Sequence, residues 1–119
     1  MYDLIIKGGT VVDPSQNIHG LNDVAVEDGK IARIAPDIPS SEAKRTVEVK
    51  GKVVIPGLID LHTHVYAGVN ATGVDPDIGG VRSGVTTMVD AGSAGCDTFG
   101  GFPKHIIPNT ATEIICFLH

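Results

Sequence analysis

The chain has 119 residues, 42% of them hydrophobic and 4% aromatic with no tryptophan, and a formal net charge of −5. That length fits one ordinary domain. The acidic balance and scattered basic residues leave no footprint for nucleic acid or an anionic membrane, and so few aromatics offer little for bases or sugars to stack on.

In chain order, the start Met1-Tyr2-Asp3-Leu4-Ile5-Ile6-Lys7 has neither the basic nor the apolar segment of a signal peptide. No run approaches the ~20 apolar residues that span a bilayer. Residues 2–54 read as short strands joined by tight turns. Leu4-Ile5-Ile6 and Thr10-Val11-Val12 flank Gly8-Gly9, and Val24-Ala25-Val26 and Ile31 to Ile34 flank Asp28-Gly29. Thr46 to Val49 and Val53-Val54-Ile55 flank Gly51. Each is a hairpin signal. Asp13 to Asn17 and Pro36 to Ser41 read as loops. Residues 1–54 are therefore expected to form a small β-sandwich element, a platform without chemistry of its own.

From residue 55 to 119 the pattern becomes β-α-β-α-β. An apolar run from Val53 to Ile59 leads into His62 and His64 and is expected to be a strand buried on both faces. Asp75-Pro76-Asp77 reads as a helix start, with Asp75 as N-cap and Pro76 as first helical residue. The helix spans Ile78 to Ser83 and stops before Gly84. Val85 to Asp90, rich in β-branched residues, is the second strand, and Ala91 to Gly95 a loop. Phe99 to Ile107 reads as a second helix, weakened by Gly100, Gly101 and Pro103. Ile114 to His119 is the third strand. Alternation of this kind implies a parallel sheet with right-handed crossovers. A complete β/α barrel takes ~250 residues, so three strands imply the front part of a longer protein.

Gly57-Leu58-Ile59-Asp60-Leu61-His62-Thr63-His64 carries the clearest chemistry. Residues i and i+2 of a strand share a face, so His62 and His64 are expected to project together at the strand's C-terminal end, as two imidazoles meeting one metal ion. The bland alternative is a pair of partly exposed strand-end histidines. Asp60 lies two residues deeper on the same face. It is either a partner that fixes a ligand's tautomer or a buried polar group satisfied by backbone.

These stretches, with "YDLIIKGGTVVDP", "DVAVEDGKIARIA", "VVIPGLIDLHTHVYAG", "GVDPD" and "SGVTTMVDAGSAG", resemble the amidohydrolase superfamily. The resemblance covers the whole chain and points to the dihydroorotase-like branch, within it to amidohydrolase/deacetylase metallohydrolases. It implies an α/β fold: a small N-terminal β-sandwich element followed by the first three strands of a metal-dependent hydrolase (β/α)8 TIM-like barrel, incomplete here. It implies that His62 and His64 match the first two metal ligands of a site that usually holds two divalent ions, most often zinc. The remaining ligands and a general-base aspartate are expected beyond residue 119, so no catalytic residue is assigned within the chain. The implied reaction is hydrolysis of an amide, N-acyl or cyclic, or of an ester, with a metal-activated hydroxide as nucleophile. The loop Val65 to Asn70 lacks the arginine that typical dihydroorotases carry after the histidine pair, which disfavours dihydroorotate.

The other candidates read as structural. His19 and His105 are expected at the surface, and His119 lacks a partner. Lys104 sits on a helix pattern, a poor place for the carboxylated lysine that, by the resemblance, would bridge the two ions. Asp90 reads as a hydrogen-bonded structural residue, and Tyr66 as a packing residue of the loop. Cys96 and Cys116 form no close-spaced motif and read as reduced thiols, with a disulfide left open. The protein is expected to be cytoplasmic, to act on a small molecule, to bind neither nucleic acid nor membrane, and to be a homo-oligomer when complete. The 119-residue piece alone is expected to be inactive and marginally stable. The competing reading is a non-catalytic scaffold or assembly partner related to cyclic-amide hydrolases.

Overall fold

The computed structural model describes all of Met1–His119, in two compact units, Met1–Pro56 and Gly57–His119. The first is a five-stranded sheet of β1 (Leu4–Asp13), β2 (Ile18–Glu27), β3 (Lys30–Ala35), β4 (Thr46–Glu48) and β5 (Val53–Val54). β1 pairs antiparallel with β2, and β2 with β3, while β4 and β5 both run parallel to β1.

Of the three expected hairpins, only Asp28-Gly29 forms. Asp28 (φ 50) and Gly29 (φ 72) are both left-handed, as a two-residue turn between twisted strands requires. Residues 4–13 are instead one strand, and Gly8-Gly9 make a bulge inside it, where the pairing with β2 slips between Ile6 and Gly9. Gly8 sits at φ 75, and a Cβ on Gly9 would lie 2.6 Å from the Val54 side chain. The chain reverses later, at Pro14–Gln16, where the Asp13 carboxylate accepts from the Ser15 N–H and hydroxyl. Nor do β4 and β5 pair with each other. The Lys52 N–H closes a turn onto the Val49 carbonyl at 2.9 Å, Gly51 takes φ 77, and the chain continues forward. β4 then meets β1 before the bulge, at Ile5–Lys7, and β5 meets it after, at Thr10–Val11. Glycine next to β-branched residues signals a turn whether the strand reverses or steps past an irregularity, which is why the two expectations failed.

Ile5, Ala25 and Ile38 form the core of this unit. Beside it Asp23, 2% exposed, accepts from Lys7 Nζ, the Gly8 N–H and the Ile38 N–H, each at 2.8 Å. Burial pushes the Asp23 carboxyl up, but the Lys7 ammonium and the two N–H groups outweigh it and hold the group below the usual carboxylate range. Lys7 is pushed up by its hydrogen bonds to Asp23 and Asp37.

The second unit is a parallel sheet in the order β6 (Leu58–Thr63), β7 (Val85–Ala94), β8 (Glu113–Leu118), as the alternation implied. The apolar run from Val53 to Ile59 is not one strand. Pro56, which has no N–H to give a ladder, ends the first unit. Gly57 then lies so near β7 that a Cβ would fall 2.1 Å from Thr86 Oγ1. Nor is β6 buried on both faces: Ile59 is 60% and Leu61 72% exposed, because the strand has a neighbour on one edge only and nothing covers its apolar side chains. β7 is the buried strand and runs to Ala94, four residues past its expected end, with Gly92 at φ 85 where the register with β8 slips.

The first helix starts as expected. Asp75 caps α1 (Pro76–Gly79) by accepting from the Asp77 and Ile78 N–H groups. It breaks at Gly80, where a Cβ would strike Thr112 Oγ1 and the Pro76 carbonyl, and resumes as a 3-10 turn at Val81–Ser83 ended by Gly84 at φ 86. The second expected helix shrinks to a π turn at Phe102–Ile106 and a 3-10 turn at Ile107–Asn109. Pro103 and Pro108 remove the donors that a longer α-helix needs. Asp77 binds the turn before β8, accepting from the Thr110 hydroxyl, the Ala111 and Thr112 N–H groups and the Thr112 hydroxyl. That network, led by the Thr110 hydroxyl, holds its carboxyl well below the usual range.

Asp23→Ala would strand two backbone N–H groups in a buried setting, at a cost of about 3 kcal/mol. Wild-type stability should also fall on acidification. Asp23 and Asp77 have depressed folded-state pKa values, so their contribution is complete above the unfolded value near pH 4 and disappears as pH drops through the folded one. Urea unfolding of both proteins between pH 7 and pH 2, followed by circular dichroism, checks the two outcomes together: the acid loss should be smaller in Asp23→Ala.

Candidate functional site

β6 delivers His62 inside the strand and His64 one residue beyond its end. Asp60 pairs with Met88 and Thr63 with Asp90, so three steps along β6 match two along β7 and Leu61-His62 are bulged. Simple alternation is thus interrupted between the two histidines. Their rings nevertheless meet, with centroids 5.6 Å apart and planes at 79°. Two imidazoles bound to one zinc in a tetrahedral array, with Zn–N bonds of about 2.0–2.1 Å, place their centroids about 5 Å apart. The pair therefore fits shared coordination of one divalent ion. No third histidine, cysteine, aspartate or glutamate joins the two.

The segment around His64 is pinned on both sides. The buried Thr63 hydroxyl donates to the Val89 carbonyl at 3.0 Å. The Val65 N–H donates to Asp90 Oδ2 at 2.8 Å, and the Val65 side chain is wholly buried. Tyr66 packs on Phe102 with ring centroids 4.4 Å apart, and its hydroxyl donates to the Thr98 carbonyl. It is a packing residue, as the sequence suggested. These three anchors leave the His64 backbone one course to follow.

Asp90 is 0% exposed and does more than hold Val65. Its Oδ1 accepts the Ser93 N–H at 2.7 Å. Ser93 Oγ in turn lies 2.9 Å from His64 Nδ1. Sequence reading placed Asp90 correctly as a hydrogen-bonded residue and missed Ser93, which sat in a stretch read as a small-residue loop.

Asp60 is exposed, which corrects the reading of it as a buried polar group, and its Oδ1 accepts the His62 backbone N–H at 3.1 Å rather than a ring N–H. An edge strand leaves its side chain open to solvent, so the carboxylate closes on the nearest donor in its own chain. His19 and His105 are exposed, as expected, and Lys104 is exposed too. His119 follows β8, its N–H donating to the Ala94 carbonyl. Cys96 and Cys116 are both free thiols. Burial and then the charge of Asp90 push the Cys116 thiol up to about 11, which leaves it protonated at neutral pH.

Asp90→Ala should destabilise the chain by about 3 kcal/mol, because it strands the Val65 and Ser93 N–H groups. Hydrogen exchange should locate the loss at those two amides, with Asp13 and its turn unaffected.

No family model matches the chain. A deacetylase from Agrobacterium fabrum is 38% identical over 92 residues, 77% of this chain and 23% of that protein. A dihydroorotase from Aquifex aeolicus is 41% identical over 116 residues, 96% of this chain and 24% of that one. The chain thus spans about a quarter of the length of these relatives. Among solved structures, a dihydroorotase superposes with a TM-score of 0.85 at 29% identity, covering 99% of this chain and 31% of that one. An N-acyl-D-glutamate deacylase from Bordetella bronchiseptica, solved with zinc and a phosphonate inhibitor, superposes with a TM-score of 0.62 at 30% identity, covering 76% and 19%. No helix here is long and apolar enough to cross a membrane.

Proposed function

Because this chain belongs to the amidohydrolase superfamily, matching its N-terminal portion in sequence and in α/β fold, we propose that it is the front part of a metal-dependent hydrolase of amide bonds. The N-acyl or cyclic amides are the favoured substrates, with esters as the neighbouring class. The observation that carries this reading is the approach of His62 and His64 to 5.6 Å at the end of β6. These two side chains would hold a divalent ion, and the relative solved with zinc favours that metal. When bound, such an ion lowers the pKa of water to about 7 and polarises a carbonyl oxygen.

What this chain's own residues do is narrower. His62 and His64 supply two neutral nitrogen donors. Thr63, Val65 and Asp90 fix the backbone between and after them. Tyr66 is committed to the core and not to substrate. Nothing in Val65 to Asn70 offers a cation to a substrate carboxylate, which favours an amide lacking one at that position over dihydroorotate. No group here is placed to carry a proton to a leaving nitrogen, so the 119 residues alone should not turn over substrate. The exposed apolar side chains of the edge strands, Leu61 and Phe117 among them, support a homo-oligomeric or otherwise covered state of the complete protein. A non-catalytic scaffold would have no need for two imidazoles so arranged.

Two measurements test the proposal. Titrated calorimetrically with zinc, the 119-residue chain should bind one ion, too weakly for a stoichiometric break at micromolar protein, and His62→Ala or His64→Ala should abolish the heat. The complete, zinc-loaded protein should hydrolyse a member of a panel of N-acetyl amino acids and cyclic amides, and lose that activity in the same variants. Tight stoichiometric zinc binding by the short chain would contradict a two-ligand site, and a complete protein inert towards the whole panel would favour the scaffold.

A further inference from the structure

We infer that Ser93 is the positioning residue that selects which nitrogen of His64 faces the metal. The inference rests on the metal reading above and specifies how one ligand is presented. An imidazole has two nitrogens, and each can coordinate an ion. A histidine at the end of an edge strand would ordinarily turn about its side-chain bonds and offer either. His64 differs from His62 here. His62 is exposed, and its ring touches only the His64 ring among aromatic neighbours. The His64 ring is half-buried, and its Nδ1 is occupied by Ser93 Oγ at 2.9 Å. That leaves Nε2 as its free donor.

The serine is itself held. Its N–H is bonded to Asp90 Oδ1, and the other oxygen of the same carboxyl group takes the N–H of Val65, the residue after His64. One wholly buried side chain therefore sets both ends of the contact: the backbone that carries the ring and the backbone that carries the hydroxyl. Gly92, the residue before Ser93, takes a left-handed φ of 85. The hydroxyl can act as acceptor as well as donor. With an ion on Nε2, Nδ1 keeps its proton and donates it to Ser93 Oγ, the usual arrangement of a metal-bound histidine and its outer partner. The two ligands thus have different tasks. His64 is held with one nitrogen engaged and the other free, and the exposed His62 would supply the second nitrogen to an ion.

The test uses the 119-residue chain at a single pH near 7, labelled with 15N at histidine. Long-range proton–nitrogen correlation spectra report the ring tautomer of each histidine directly. In the metal-free protein, Ser93→Ala should change the balance of the two His64 tautomers and leave His19, His105 and His119 as they were. Ser93→Thr, which keeps the hydroxyl, should restore the wild-type pattern. With zinc added, the coordination shift should fall on His64 Nε2, and Ser93→Ala should weaken binding about tenfold or more, with Thr again restoring it. An unchanged backbone amide spectrum confirms that the variants remain folded, and Asp90→Asn provides a second route to the same contact. His64 tautomers that do not respond to Ser93→Ala would overturn the inference, as would zinc found on His64 Nδ1. If zinc binds neither wild type nor variants, the metal reading fails, and the metal-free tautomers still decide whether Ser93 orients the ring.

Discussion

One buried carboxyl group organises the second unit. Asp90 has no cation beside it and spends both oxygens on backbone N–H groups, those of Val65 and Ser93. In a buried setting an unpaired N–H costs more than a satisfied one contributes, so the two segments cannot drift apart cheaply. Val65 follows β6 and Ser93 lies near the end of β7. The carboxyl group therefore fixes where two adjacent parallel strands stop, and a candidate ligand sits at one of those stops. Strand pairing alone would leave that end loose, because β6 has a single neighbour and its apolar side chains lie open.

The first unit solves a similar problem in the same way. Asp23 takes the N–H of Gly8, at the bulge of β1, and the N–H of Ile38, in the loop after β3. There a lysine is added, and Lys7 reaches Asp23, Asp37 and the Ile38 carbonyl together. In both units an aspartate inside the structure stands in for a missing stretch of regular ladder. These side chains do at irregular points what backbone pairing does along the strands.

Much of this was legible in the sequence, and the reasons for success and failure are physical. The β-α-β-α-β order, the Asp75 cap with Pro76 behind it, and the Asp28-Gly29 hairpin rest on local stereochemistry, which neighbours cannot easily override. The approach of His62 to His64 was anticipated from period-two alternation, although a bulge and the strand's end intervene, and the ring positions owe more to Thr63, Val65 and Ser93. The readings that failed depend on distant partners. Gly8-Gly9 and Gly51 look like reversals until the pairing of β1 with β4 and β5 is known. The first helix was overestimated because Gly80 must clear Thr112, thirty-odd residues away in the chain. Ser93 was invisible for the same reason: its importance lies in a ring carried by another strand. The resemblance to a known superfamily added what the residues could not, an expectation of which class of reaction the pair at the end of β6 would serve.

Gly57 brings these threads to a single atom. With hydrogen in place of a methyl, the backbone there rests against Thr86 at a distance no other side chain would permit. The close seating of β6 on β7 thus depends on an atom that is missing five residues upstream of the first imidazole. Alanine at position 57 would force β6 away from Thr86 and so disturb the strand that carries His62, while leaving both histidines of the pair in the sequence.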